Sequence, residues 1–269
     1  MKDLEVNEIK KIQLNILKSV DDYCSKNDIK YFLSYGTLLG AIRHKGYIPW
    51  DDDIDIMMLR NDYEQFLSDF NKNRTDNLEV LHSSIDKKFP YEFAKIHDKT
   101  TTLIENVDVK YSIGVNIDLF VVDYLGDNKE NAKKIYNKNW IWEKILLVKN
   151  IKSNKKDRNF IKNNIVKLLK FICKPITIYK ITSSMNKNSQ KYKNANGKYL
   201  GILCERDFTY AKVFEKEWFN DSIKVQFENL KLNIPKQYDK ILKTMYGNYM
   251  QFPPKEERIT HHDYIAYQK

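Results

Sequence analysis

Cysteine is scarce in this chain: Cys24, Cys173 and Cys204 stand far apart in 269 residues. That spacing excludes a zinc-ligand cluster and a disulfide framework, and it suits a reducing compartment. No apolar stretch approaches the roughly 18 uninterrupted residues that a membrane-crossing helix needs. The opening MKDLEVNEIKK is charged and has no apolar core, which argues against a secretory signal. Repeats and low-complexity linkers are also missing. Acidic residues are nearly absent from one long segment: between Lys129 and Lys193, 18 Lys or Arg face only Glu130, Glu143 and Asp157. That segment carries +15, so with a total of +10 the rest of the chain carries −5. Such a stretch favours an anionic partner, a membrane surface, nucleic acid or a polyphosphate, against the plainer reading of a solvated Lys/Asn-rich surface.

What remains is an ordinary globular composition, 42% hydrophobic and 30% charged, long enough for one domain with a sizeable insertion. Ile9, Ile12, Ile16, Val20 and Tyr23 recur at helical spacing and predict an amphipathic helix over 4–24. Residues 30–35 read as a strand, Gly36-Thr37 as its turn, and a short helix follows. The spacing predicts further strands at 53–58, 78–82, 91–96 and 112–122, with a helix from Asn61 or Asp62 to Asn71. Residues 129–193 read as basic helices. Trp140, Trp142, Ile145, Leu146, Ile165, Leu168, Leu169, Phe171 and Ile172 are interleaved there with lysines, and packing onto the core is the commoner explanation of such a stripe. A membrane-interface helix is the alternative. Strands at 197–204 and 212–214, a hairpin over 225–235, a helix over 237–246 and an irregular tail complete an α+β pattern.

The stretch that organises the rest is KYFLSYGTLLGAIRHKGYIPWDDDIDIMM, residues 30–58. On a strand, side chains alternate faces, so Asp53 and Asp55 point one way while Ile54 and Ile56 enter a core. Adjacent carboxylates repel unless a cation lies between them, and Mg²⁺ takes such oxygen ligands while leaving positions for phosphates. Asp51 and Asp52 precede the alternation and read as loop or supporting groups. Asp118, in Val115-Asn116-Ile117-Asp118-Leu119-Phe120, is a lone carboxylate among apolar residues, which is costly without a metal or an ion-pair partner. Asp123 is a weaker candidate that orients the site or ends its strand. Gly36-Thr37, between strand and helix, offers backbone N–H groups to phosphate.

These residues resemble a known family. Ser34-Tyr35-Gly36-Thr37-Leu38-Leu39-Gly40-Ala41-Ile42-Arg43-His44-Lys45-Gly46, followed by Ile48-Pro49-Trp50-Asp51-Asp52-Asp53-Ile54-Asp55-Ile56, is similar to the LicD family. The similarity continues through Ala94-Lys95-Ile96, Lys99-Thr100, Ile117-Asp118-Leu119-Phe120, Tyr246-Gly247, Pro253-Pro254, Arg258 and His261-His262. The family includes the fukutin-type proteins and belongs to the nucleotidyltransferase-fold superfamily. The resemblance implies a polymerase-β-like core with a mixed sheet over residues 1–128. A basic helical insertion would occupy 129–193, and 194–269 would complete the catalytic domain. It implies Asp53, Asp55 and Asp118 as carboxylates for two Mg²⁺ (or Mn²⁺) ions, with Gly36-Thr37 at the glycine-serine position. Arg43 and Lys95 are candidate cationic clamps on the donor pyrophosphate. Trp50 and then Tyr47 are candidates for a quaternary ammonium, and Arg258, His261 and His262 for phosphate or acceptor sugar. The implied reaction moves phosphocholine, or a related phospho-alcohol, from CDP-choline to a sugar hydroxyl of a teichoic acid, lipopolysaccharide or capsule-type glycan. The implied setting is cytoplasmic, peripheral at the inner face of an anionic membrane, with no nucleic-acid partner. Alternatives are a nucleotidyltransferase acting on a small acceptor, and a non-catalytic basic module, which would have no use for the three aspartates.

Overall fold

A computed structural model describes residues 2–72, 76–105, 111–153, 158–193, 197–204, 209–260 and 264–269. In chain order the elements are β1 (Lys2–Asp3), α1 (Val6–Lys26), β2 (Phe32–Leu33), α2 (Tyr35–Arg43), β3 (Asp55–Leu59), α3 (Arg60–Asp69), β4 (Leu78–Leu81), β5 (Ala94–Asp98), β6 (Thr101–Glu105) and β7 (Asn116–Gly126). They continue with α4 (Glu130–Asn150), α5 (Phe160–Cys173), α6 (Ile178–Ser189), β8 (Tyr199–Ile202), β9 (Val213–Glu215), β10 (Ser222–Phe227), β11 (Leu230–Pro235), α7 (Tyr238–Tyr246) and β12 (Tyr264–Gln268). The class is α+β with a mixed sheet, as the sequence predicts.

β7 is the spine. It runs parallel to β3 on one side. On the other side its first half pairs antiparallel with β5 and its second half with β8. β2 and β4 extend the sheet beyond β3 and β5, and β9 pairs with β8. Ile54, Ile56, Ile96, Leu119 and Val122 are fully buried in the main core with Ile16, Leu17 and Val20 of α1 and Phe66 of α3. Helix α1 therefore forms because one stripe of its surface has this sheet to cover. Below the strands, Arg60 and Asp123 make a buried bidentate ion pair, Nε donating to Oδ1 at 2.7 Å and Nη2 to Oδ2 at 2.8 Å. Arg60 also donates to Asn186 Oδ1 of α6 at 3.0 Å. Asp123 thus ties α3 and α6 to the end of the spine.

Several boundaries shift. Helix α2 starts at Tyr35, so Gly36 and Thr37 lie in its first turn and not in a turn before it. β3 starts at Asp55, leaving Asp53 just ahead of the strand. The tail is not wholly irregular, because β12 pairs with β1 and β6, two strands that the sequence pattern did not announce. The larger correction concerns α5. Leu146 of α4 and Ile181 and Met185 of α6 do pack inward. In α5, however, only Cys173 is buried, and Ile165, Leu168, Leu169, Phe171 and Ile172 are exposed. Core packing therefore does not explain that stripe.

Candidate active site

The in-register partners of β3, β7 and β5 place Asp55, Asp118 and Lys95 side by side in one row across three strands. Directly paired side chains share a face, and the neighbouring row, Ile56, Leu119 and Ala94, fills the core beneath. Lys95 Nζ donates to Asp118 Oδ1 at 2.7 Å and to Asn116 Oδ1 at 3.1 Å. Lys95 is buried, whereas the Asp118 side chain keeps 20% of its surface accessible. An ion pair was one of the two explanations that the sequence allowed for Asp118, and the partner is the lysine expected to clamp phosphate.

The backbone around this row is tightly held. Thr37 Oγ1 accepts the Asp55 N–H at 2.8 Å, which fixes the first residue of β3 to the first turn of α2. Tyr35, at the strand-to-helix joint, has φ 42°, a conformation that side-chain-bearing residues adopt only when their surroundings impose it. A Cβ on Gly36 would lie 2.5 Å from Asp51 Oδ2, so glycine is what lets the helix and the acidic loop approach. Helix α1 pins that loop: Lys10 Nζ donates to the Asp51 carbonyl at 2.7 Å, and Gln13 Nε2 to the Asp52 carbonyl at 3.0 Å. Tyr264 of β12 donates its hydroxyl to Asp52 Oδ2 at 3.1 Å. Asp51 and Asp52 are thus parts of the loop's framework, and Asp53, half-buried, is the loop carboxylate nearest in sequence to the row.

Arg43, Trp50 and Arg258 assemble elsewhere, toward the other end of α2. Arg43 and Trp50 line a cavity of about 740 Å³ whose wall also includes Tyr249, Phe252, Glu256 and Glu257, and Arg258 lies against the Trp50 and Phe252 rings of that wall. The Arg43 guanidinium lies 4.9 Å from the Phe252 ring centre, and Arg258 lies 5.5 Å from Trp50 and 5.3 Å from Phe252. Arg43 Nη1 also donates to the Tyr249 carbonyl at 2.8 Å. The Trp50 ring therefore already carries a cation, and two guanidinium groups are held on the aromatic rings here, of which Arg43 lines the cavity. Tyr47 is engaged with α1, its ring under Lys10 Nζ at 4.4 Å and its hydroxyl donating to Gln13 Oε1 at 3.0 Å. Burial lowers the pKa of both Arg43 and His44, and the neighbouring Arg43 charge lowers that of His44 further; Arg43 remains a cation. His261 and His262 lie outside the described residues.

Comparison with known proteins places this arrangement. A family profile described as "LicD/FKTN/FKRP, nucleotidyltransferase domain" matches residues 28–124. The lipopolysaccharide cholinephosphotransferase LicD of Haemophilus influenzae is 32% identical over 275 residues, covering 99% of both chains. The chain belongs to the LicD family. Two uncharacterised Rickettsia proteins are similar over shorter stretches. The one from R. typhi is 40% identical over 26% of this chain and 24% of its own, and the one from R. prowazekii 49% identical over 18% of each. The LicD profile spans the whole Asp55–Asp118–Lys95 row and stops before α4.

Among the described residues, no three His, Cys, Asp or Glu side chains are gathered into a ready cation-holding group. The residues nonetheless fit Mg²⁺, which uses one or two carboxylates and completes its shell with water and substrate phosphates. Asp55 and Asp118 face each other in register. Beside them the Ser34 hydroxyl is buried and has no hydrogen-bond partner among the described residues. Ser34 is the N-cap residue of α2 but its hydroxyl makes no capping hydrogen bond, at the helix end where backbone N–H groups lack intrahelical acceptors. A ligand with oxygen acceptors, such as a phosphate, would satisfy the hydroxyl.

Sequence reasoning missed the aromatic wall of this site. Lys95 Nζ lies 5.0 Å from the Tyr91 ring centre and 5.4 Å from Phe93. Phe93 packs on Phe120 at 4.8 Å, and Phe120 on Tyr35 at 5.0 Å. A signal was present in the expected strand over 91–96, where Tyr91, Phe93 and Lys95 alternate, although β5 itself begins only at Ala94.

Proposed function

We propose that this LicD-family chain is a metal-dependent phosphotransferase with a nucleotidyltransferase-type core. It moves phosphocholine, or a closely related phospho-alcohol, from CDP-choline to a sugar hydroxyl of a cell-surface glycan. The observation that carries the reading is the end-to-end likeness to a lipopolysaccharide cholinephosphotransferase, joined to a carboxylate row on the best-matched strands. A glycan acceptor of the lipopolysaccharide kind is supported by that relative's name. Teichoic acid and capsule are alternatives that the same chemistry would serve.

In this reaction the acceptor hydroxyl oxygen forms a bond to the phosphocholine phosphorus. The bridging P–O bond of the donor breaks, and CMP leaves with the electron pair. Asp53, Asp55 and Asp118 would hold the metal, and when bound it supplies charge neutralisation for the phosphates. Asp118, the most accessible of the row's members by its strand position, orients the acceptor hydroxyl and takes its proton. Lys95 holds Asp118 in place and adds positive charge beside the donor phosphates. Gly36 and Thr37 bring the N-terminus of α2 against the site, where phosphate is favoured. Arg43 in the cavity wall, with Arg258 on the neighbouring rings, suits a second anionic group of donor or acceptor. The enzyme works peripherally at the inner face of a membrane; among the described residues no helix is long and apolar enough to cross one.

The test uses CDP-choline labelled in the choline, purified chain, Mg²⁺ and crude membrane glycan. Label on the glycan with CMP released supports the reading, and Asp55→Asn should abolish both while the fold survives. Nucleotide appearing on the acceptor instead would make the protein a nucleotidyltransferase. Silence with every CDP-alcohol from folded protein would refute the reading.

A further inference from the structure

Helix α5 is built inside out. Its 14 residues, FIKNNIVKLLKFIC, show on a 100° wheel an arc of about 180° formed by Phe160, Ile161, Ile165, Leu168, Leu169, Phe171 and Ile172, with Asn164 the one polar residue within it. All seven of these are exposed, Phe160 by 79%, Phe171 by 74% and Ile161 by 68%. The less exposed edge is the opposite one, Asn163, Val166, Lys170 and Cys173. That edge packs on α4, where burial pulls the pKa of Lys149 down beside Cys173 and Lys170. A helix attached through its narrow, partly polar edge while its broad apolar face meets solvent has left that face for another phase.

We infer that α5 is an interfacial anchor that lies in the plane of an anionic lipid bilayer, its apolar arc in the acyl boundary and its lysines at the headgroups. Lys162 and Lys167 stand on the two flanks of the arc. From there their stems can run along the apolar surface while the ammonium groups reach lipid phosphates. The charge of the surrounding segment, +15 over residues 129–193, is of the sign that an anionic bilayer attracts. The same charge opposes a second copy as occupant, since pairing two such faces would bring two +15 segments together. The helix is about 21 Å long at 1.5 Å per residue, too short to cross a bilayer and suited to lying in its surface. The neighbouring α4 adds Trp140 and Ile141, exposed by 48% and 53%. This inference deepens the proposed function by naming the surface on which the enzyme would meet a lipid-linked acceptor.

The experiment is flotation of the full chain with vesicles of phosphatidylcholine alone or mixed with phosphatidylglycerol. Binding is expected on the anionic vesicles, partly reduced by salt and weak on the neutral ones. The double variant Leu168→Ser/Phe171→Ser, at exposed positions, should lower anionic-vesicle binding at least tenfold with unchanged far-UV circular dichroism. If that variant is poorly folded, Lys162→Glu/Lys167→Glu provides the second comparison and should lose binding to anionic vesicles only. Absence of wild-type flotation, or flotation untouched by both variants, overturns the inference. So does a wild-type dimer that Leu168→Ser/Phe171→Ser converts to monomer, which would assign the face to a second copy. CMP release from CDP-choline with a water-soluble saccharide acceptor is measured alongside and should be unchanged in Leu168→Ser/Phe171→Ser. A chain that floats but transfers nothing would leave the anchor standing and remove the enzymatic reading; the converse would do the opposite.

Discussion

Replacing Lys95 with methionine tests the centre of the site. The change keeps the chain length and burial but removes the ammonium that donates to Asp118 and Asn116. Asp55 and Asp118 are direct neighbours across β3 and β7. Two such carboxylates about 5 Å apart repel by about 3 kcal/mol at an effective dielectric of 20. With the Asp118 side chain one-fifth accessible, solvent weakens this, so Lys95→Met should cost about 2 kcal/mol and lower Tm by about 4–8 °C without divalent ions. Mg²⁺ can supply the missing charge. Titrating MgCl₂ in a thermal-shift assay should therefore raise the variant's Tm more than the wild type's and recover at least half of the loss. Transfer from CDP-choline should fall at least tenfold even at saturating Mg²⁺, because the donor phosphates lose a cation that the metal does not replace. An unchanged Tm together with an identical Mg²⁺ response would refute the electrostatic account of the row. A large loss that Mg²⁺ leaves untouched would make Lys95 purely structural.

Three further outcomes follow from the geometry. Arg60→Met should destabilise by about 3–5 kcal/mol in urea unfolding, since Asp123 is left buried without its bidentate partner, and Arg60→Met/Asp123→Leu should recover much of that. Gly40→Ala should cost about 1–3 kcal/mol and reduce activity, because the added Cβ would meet the Gly46 carbonyl at 2.4 Å and push the loop leading to the aspartates; melting and CMP release measured together check it. The third concerns His82, whose pKa burial, with Arg60 nearby, pulls down to about 4. Below its ordinary value of 6.5 the unfolded chain binds a proton that the folded chain refuses, so stability falls as pH drops from about 6.5 to 4, by about 3 kcal/mol in total. Unfolding free energy measured across that window should be flatter in His82→Gln.

Sequence pattern alone singled out the carboxylates of the candidate site. Alternation at Asp55-Ile56, and Asp118 between apolar neighbours, required a core on one side and charge on the other, because a strand's side chains alternate; Asp53 was grouped with them but lies ahead of the strand. It also determined the helices α1, α3 and α7, whose apolar spacing has no other use. Only the tertiary structure decided what lies beside what. Lys95 could be known as Asp118's partner only from the register of β5 on β7, since pairing across strands leaves no local trace. Arg43 and Trp50, adjacent in motif to Gly36 and Asp53, were drawn away to an arginine cavity by a helix that separates its two ends. β12 and β6 were invisible because each is short and gains its hydrogen bonds from chain segments far away in sequence. The apolar stripe of α5 was plain in the sequence, but periodicity says only that a helix has an apolar face. Whether that face turns inward or outward depends on which edge its neighbour α4 occupies, and α4 occupies the narrow one.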